Sequence, residues 1–195
     1  AFYYAKNLTS VTFASTASFK DTSAKVTAIG TSAFEECEKL TGITLPAVDA
    51  KASYSLGQSA FKYSGLTSIV IPEGVGNIGN NCFQSAGALT SVSFATTGSI
   101  GFGTYVFKSC EALTSIALPE GTTAIGSNMF GDCTSLTSIT IPASATSIGA
   151  SAFSGCTSLA SVTFATAPES DAEGAPAYSK AANIGDSAFA NTALT

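Results

Sequence analysis

Five cysteines carry most of the chemical potential of this chain: Cys37, Cys82, Cys110, Cys133 and Cys156. There is no His. Its absence removes the Ser-His-Asp triad, the Cys-His pair and the usual zinc sites together. Thiolate metal sites take their ligands in close pairs. Cys110, Cys133 and Cys156 instead recur singly, every 23 residues, which reads as a column of small buried thiols. Neighbours in such a column come within bridging distance by their Cα atoms, but their Cβ bonds point the same way, which disfavours a disulfide. Cys82 occupies a different slot, directly before Phe83, and is expected to be buried too.

The other candidates carry less. Ser59-Ala60-Phe61-Lys62 fits the S-x-x-K of serine acyl-enzymes, but none of the companion motifs is present. Gly101-Phe102-Gly103 has no helix pattern after it, so it does not build a phosphate cradle. Acidic residues cluster only at Glu35-Glu36 and from Glu169 to Glu173; the second run could ligate Ca²⁺ weakly, and reads better as a solvated loop. Asn7-Leu8-Thr9 is formally a glycosylation sequon, though the repeat described next dictates most of it. No catalytic residue, cofactor or metal is expected, and the chain reads as a non-enzyme.

These residues are positioned by a repeat. Residues 136–158, LTSITIPASATSIGASAFSGCTS, restate 113–135, LTSIALPEGTTAIGSNMFGDCTS. Units begin at Leu8, Leu40, Leu66, Leu89, Leu113, Leu136 and Leu159, with partial repeats at both ends, so residues 1–195 read as one solenoid. In L-x-x-I-x-I the apolar residues alternate at the end (Ile116 and Leu118, Ile139 and Ile141), which predicts one short strand per unit. Pro46, Pro72, Pro119 and Pro142 close four of these strands. An apolar anchor with Gly follows, as in Ile125-Gly126, and predicts either a positive φ or a close approach of backbones. Five residues later comes a Phe column: Phe34, Phe61, Phe83, Phe107, Phe130, Phe153 and Phe189, with Phe2 as its first member. The A-F-x-x-C stretch predicts a tight helical or 3₁₀ turn.

No unit can bury its own apolar face, so the units must stack in parallel ladders around a continuous core. The units from Leu8, Leu89 and Leu159 lack the Pro and are longer, with extra residues at 14–28, 95–101 and 165–183; these predict loops on one flank. Charged residues are only 11% of the chain and the net charge is −5, which argues against nucleic acid. No apolar run approaches the ~20 residues of a membrane span, so no direct membrane insertion is expected. No signal peptide is visible; Ala1-Phe2 falls in mid-repeat, so the sequence reads as a mature or excised piece.

With Pro, Gly, Phe and Cys recurring in register, the pattern resembles the BspA-like leucine-rich repeat, L-x-x-I-x-(I/L)-P…I-G-x-x-A-F-x-x-C-x-x, across essentially the whole chain. Ser64, Ala86 and Thr192 depart from its Cys. The resemblance implies a β-rich, right-handed leucine-rich-repeat solenoid with a parallel sheet, short second strands at the I-G anchor, and an extracellular or cell-surface location. It also implies adhesion or the binding of a protein or glycan partner.

The outward strand positions are the one unusual surface. Thr67, Ser68, Thr90, Ser91, Ser93, Thr114, Ser115, Thr137, Ser138 and Thr140 should form a flat, uncharged face. Thr and Ser are ordinary exposed strand residues, but this face lacks the Lys and Glu that keep sheets apart. It is expected to dock a partner or a copy of the chain. The alternative is a structural subunit that self-associates into a filament or matrix. The Thr columns also raise recognition of ice or a crystalline surface.

Overall fold

The computed structural model describes residues 1–13, 28–46, 53–95, 98–166 and 183–195. Over these the chain winds as a parallel-strand β-solenoid of about 6 turns with no helix. Of the segments expected as insertion loops, 14–28 and 165–183 lie mostly outside the described residues, as does the whole acidic run Glu169 to Glu173, whereas 95–101 is described except at 96 and 97 and ends in a strand that starts at Gly101. The strands in chain order are β1 (Ala28–Ile29), β2 (Tyr54–Leu56), β3 (Ser68–Ile71), β4 (Val75–Ile78), β5 (Ser91–Phe94) and β6 (Gly101–Phe102). They continue with β7 (Ala124–Ile125), β8 (Ser138–Ile141), β9 (Ser147–Ile148), β10 (Ser161–Phe164) and β11 (Asn183–Ile184).

Two rows of strands run up the solenoid. The L-x-x-I-x-I row contains β3 paired with β5 and β8 paired with β10, both parallel and in register, with Ile69 opposite Val92 and Ile139 opposite Val162. Strand periodicity sets the facing: Ile69 and Ile71 point in while Ser68 and Val70 point out. The I-G row forms a sheet in the order β1-β2-β4-β6 and a second in the order β11-β9-β7. Both rows are interrupted at one level, between the units that start at Leu89 and Leu113. The Leu89 unit alone puts Phe in both apolar slots, and Phe94 and Phe102 pack edge to face there at 5.9 Å. That pair fills more volume than the Ile or Leu of its neighbours, and it sits at the level where the strands do not pair with the next ones. The expected single sheet is thus two blocks, and the Leu113 unit joins the second through a bridge between Ala117 and Thr140 and through the Thr137 N–H bond to the Thr114 carbonyl.

The stretch expected as a helical or 3₁₀ turn is neither. Its i→i−3 bonds are isolated, as in Ala60 N–H to the Gly57 carbonyl, Lys62 to Ser59, and Ser64 to Phe61. Residues with φ between 51° and 62° recur every four positions (Ser59 and Tyr63, Asn81 and Ser85, Asn128 and Asp132). A positive φ at the third residue defines a type II turn and stops a helix from propagating. The alternate N–H groups leave the turn and bond the next rung. Ser59, Phe61 and Tyr63 donate to Asn80, Cys82 and Gln84; Tyr105, Phe107 and Ser109 donate to Ser127, Met129 and Gly131. This third ladder runs without interruption, including across the level where both strand rows stop.

The core is a set of columns between these three ladders. The Phe rings of the eight-member column stack face to face, with centroids 5.2–5.5 Å apart and planes within 12° of parallel. Phe61, Phe83, Phe107, Phe130 and Phe153 are fully buried. From Gly57 onward the anchor glycines settle on close approach, while Gly30 in the first such rung meets nothing within 4 Å; none has a positive φ, which among described glycines occurs only at Gly74 and Gly155. A Cβ at Gly126 would lie 2.6 Å from the Gly103 carbonyl oxygen. One at Gly149 would lie 2.6 Å from the Ser127 nitrogen.

Candidate interaction face

All ten predicted face residues are exposed, and the ladders distribute them into two groups. Thr67, Ser68, Thr90, Ser91 and Ser93 sit on or beside β3 and β5, with Ser68 opposite Ser91. Thr114, Ser115, Thr137, Ser138 and Thr140 sit beside or on β8 and the Leu113 unit. The Thr and Ser columns differ in chemistry. Thr67 donates its hydroxyl to the Thr41 carbonyl at 3.1 Å and Thr90 to the Thr67 carbonyl at 2.9 Å, doubling the backbone bonds between the same residues. Thr137 does the same to Thr114, at 3.4 Å. The hydroxyl protons of Thr67, Thr90 and Thr137 are committed to the solenoid, so these three can only accept from a partner. Ser68, Ser91, Ser115 and Ser138 have no side-chain partner among the described residues, and both offer and accept hydrogen bonds.

One feature of the face has no motif in the sequence. Gly42 stands where the other units carry Ser, and without a side chain it opens a shallow groove of about 340 Å³. Val11, Ile43, Thr44, Ser68, Ile69 and Val70 line it, and Val70 is 57% exposed. The face is apolar at this end and hydroxyl-rich beyond it. A single Gly in a column of Ser was the only available signal.

The cysteines are sealed. All five are free and buried. Cys110, Cys133 and Cys156 each direct the thiol to the carbonyl of the Phe one rung back, Phe83, Phe107 and Phe130, at 2.9–3.1 Å. Burial pushes the Cys110 thiol up to about 12 and the Cys156 thiol to about 11, away from nucleophilic or ligating forms. Ser59 and Lys62 form no acylating pair: the Lys62 ammonium lies 3.9 Å from the Glu35 carboxylate and over the Tyr63 ring. On the turn ridge, Tyr63, Tyr105 and Lys108 were not singled out by any motif, and Lys62 only by the S-x-x-K match.

Known proteins bear the same pattern. The chain matches the family described as BspA type Leucine rich repeat region, in six copies, over residues 1–101 and 95–195. Among curated proteins none matches. Among solved structures, a leucine-rich repeat protein of T. pallidum is 29% identical with a TM-score of 0.65, over 71% of this chain and 63% of that one. A leucine-rich repeat protein from Eubacterium ventriosum is 21% identical with a TM-score of 0.63, over 88% of this chain and 44% of that one. This chain thus spans less than two thirds of the length of either structure.

Proposed function

The chain belongs to the BspA-type leucine-rich-repeat family, and from that premise we propose that residues 1–195 act as one non-enzymatic, extracellular or surface-displayed module that docks a protein partner on its strand face. Leucine-rich-repeat proteins are generally protein-interaction modules. The observation that carries the reading is the face itself: exposed along its length, free of charge in all its outward columns, and grooved at Gly42. An uncharged face is cheap to desolvate, because no ion must shed its water. The groove would receive an apolar side chain at one end of the face, and the Ser column would supply hydrogen bonds beyond it. The buried thiols and the absence of His favour a non-enzyme.

The test is capture of binding partners from a host-cell surface extract, comparing the parent chain with two variants. Ser91→Lys/Ser115→Lys/Ser138→Lys places three like charges on the face, and Gly42→Leu fills the groove. Loss of the same captured protein by both variants, with unchanged melting, supports the reading; full retention by both removes it. Size-exclusion chromatography and electron microscopy of the parent chain address the self-associating alternative, which a regular polymer abolished by the triple lysine variant would establish instead.

A further inference from the structure

Two backbone bonds recur at fixed slots of successive rungs, and one level lacks both. At the head of the strand row, the Thr67, Thr90 and Thr137 N–H groups bond the carbonyls of Thr41, Thr67 and Thr114. In the I-G row, Gly57, Gly79, Gly103, Gly149 and Gly185 each donate to the anchor carbonyl one rung back. Among the described residues, Thr114 has no such bond to Thr90 and Gly126 none to Phe102. The Thr90 and Thr137 hydroxyls double their backbone bonds, and that second link is missing between Thr114 and Thr90 too. The level without these bonds lies between the Leu89 and Leu113 units, where neither strand row carries its pairing across.

Packing is loosest on the same side. Val92, Ile116 and Leu118, which face the core beside the break, are 6–8% exposed, and Phe94 is half-buried. Their counterparts Ile69, Ile71, Ile139 and Ile141, in the paired blocks, are 0–3% exposed. The turn ridge behaves differently. Across this level Tyr105, Phe107 and Ser109 donate to Ser127, Met129 and Gly131 at 2.7–3.1 Å. The Cys133 thiol reaches the Phe107 carbonyl at 3.1 Å, and Lys108 pairs with Asp132 at 3.3 Å. The step from Phe107 to Phe130 keeps its stacking but is the widest and most tilted of the file, at 5.5 Å and 12°. Away from the ridge, the Ser99 hydroxyl spans the break to the Gly121 carbonyl at 3.0 Å, in an exposed position.

We infer that this level is a hinge. The units up to Leu89 and those from Leu113 onward move as two blocks, with the turn ridge as the pivot and the strand side as the side that opens. A hinge concentrates motion where the fewest bonds must break. Parting any other level on the strand side breaks backbone bonds in one or both strand rows, whereas here those bonds are already missing. The break falls between Ser91 and Ser115, so it divides the candidate face into its two groups of five. Opening and closing therefore change the curvature of that face while the ridge keeps its length. The hinge does not depend on the docking reading; if a partner does sit across both blocks, it holds the face at one curvature.

The test compares this level with its neighbours in the whole chain. Nitroxides on Ser91→Cys/Ser138→Cys span the hinge across two rungs, about 10 Å, and those on Ser115→Cys/Ser161→Cys span two rungs without it. All four serines are exposed, and the native thiols are buried away from the label. Dipolar broadening in electron paramagnetic resonance should give the first pair a wider distance distribution, extended to longer distances. Core thiols then locate the pivot. Without denaturant, Ile116→Cys should be alkylated at least about tenfold faster than Ile139→Cys. Cys110 and Cys133, which flank the same level on the ridge, should react no faster than Cys82. Equal distributions for the two labelled pairs, or equal alkylation of Ile116→Cys and Ile139→Cys, overturn the proposal. So does alkylation of Cys110 and Cys133 as fast as that of Ile116→Cys, since the ridge would then part with the strands and leave no pivot.

Discussion

A buried hydroxyl at Ser64 shows why most members of its column are Cys. The Ser64 oxygen has no partner, while the longer C–S bonds of Cys110, Cys133 and Cys156 carry their thiols to the Phe carbonyl one rung back. Ser64→Cys should remove an unsatisfied buried group and stabilise the chain by roughly 1–3 kcal/mol in denaturant melts. The same thiols set an alkaline limit. Folding holds their protons above the ordinary value of 9.0, to about 12 at Cys110 and about 11 at Cys156. The unfolded chain therefore loses protons first as pH rises, so stability is full below pH 9 and falls between about pH 9 and 12. Cys110→Ala/Cys156→Ala should flatten that fall in a pH series of melting temperatures. The Cys column was readable from its 23-residue period; the orphaned Ser64 hydroxyl was not, since reach across a rung depends on coordinates.

At the scale of elements, the sequence pattern foretold the strand alternation, the I-G anchors and the Phe file, because each is a spacing of residue types. It misread the A-F-x-x-C stretch. Phe, small residues and Cys at a three-residue step look like one helical turn, and nothing in Ser59, Tyr63 or Ser85 announces a left-handed backbone as Gly would. Substituting Ser85→Val should cost about 1–2 kcal/mol by thermal denaturation, as a β-branched residue is forced into that region, whereas Ser85→Asn should be nearly neutral. Phe107→Ala, in the middle of the stack and fully buried, should cost about 3–5 kcal/mol. Of the candidate face, the ten exposed positions followed from strand periodicity. The division of Thr from Ser by hydroxyl bonding, and the groove at Gly42, depended on what lies one rung away.

Across the whole molecule, burial is a property of neighbours and not of sequence alone. Ile148 is 1% exposed between two rungs, and Ile184, the same residue in the same slot of the last described rung, is 57% exposed. The interruption of both strand rows above the Leu89 unit, set against an unbroken turn ladder, predicts uneven opening of the array. In native-state hydrogen exchange, the amides of Phe83, Phe107 and Phe130 should be the slowest. Those of Ser115 to Ala117 should exchange faster than those of Ile139 to Ile141; equal protection would contradict the observed interruption.

The one-rung reach of every ladder bond has a genetic consequence. A unit such as 113–135 can be duplicated or lost as a block of codons, and the neighbours then meet across a register that the block did not define. Length in such a chain is a quantity that recombination can tune without inventing a new fold, in the way that a zip can be cut to measure anywhere between its teeth.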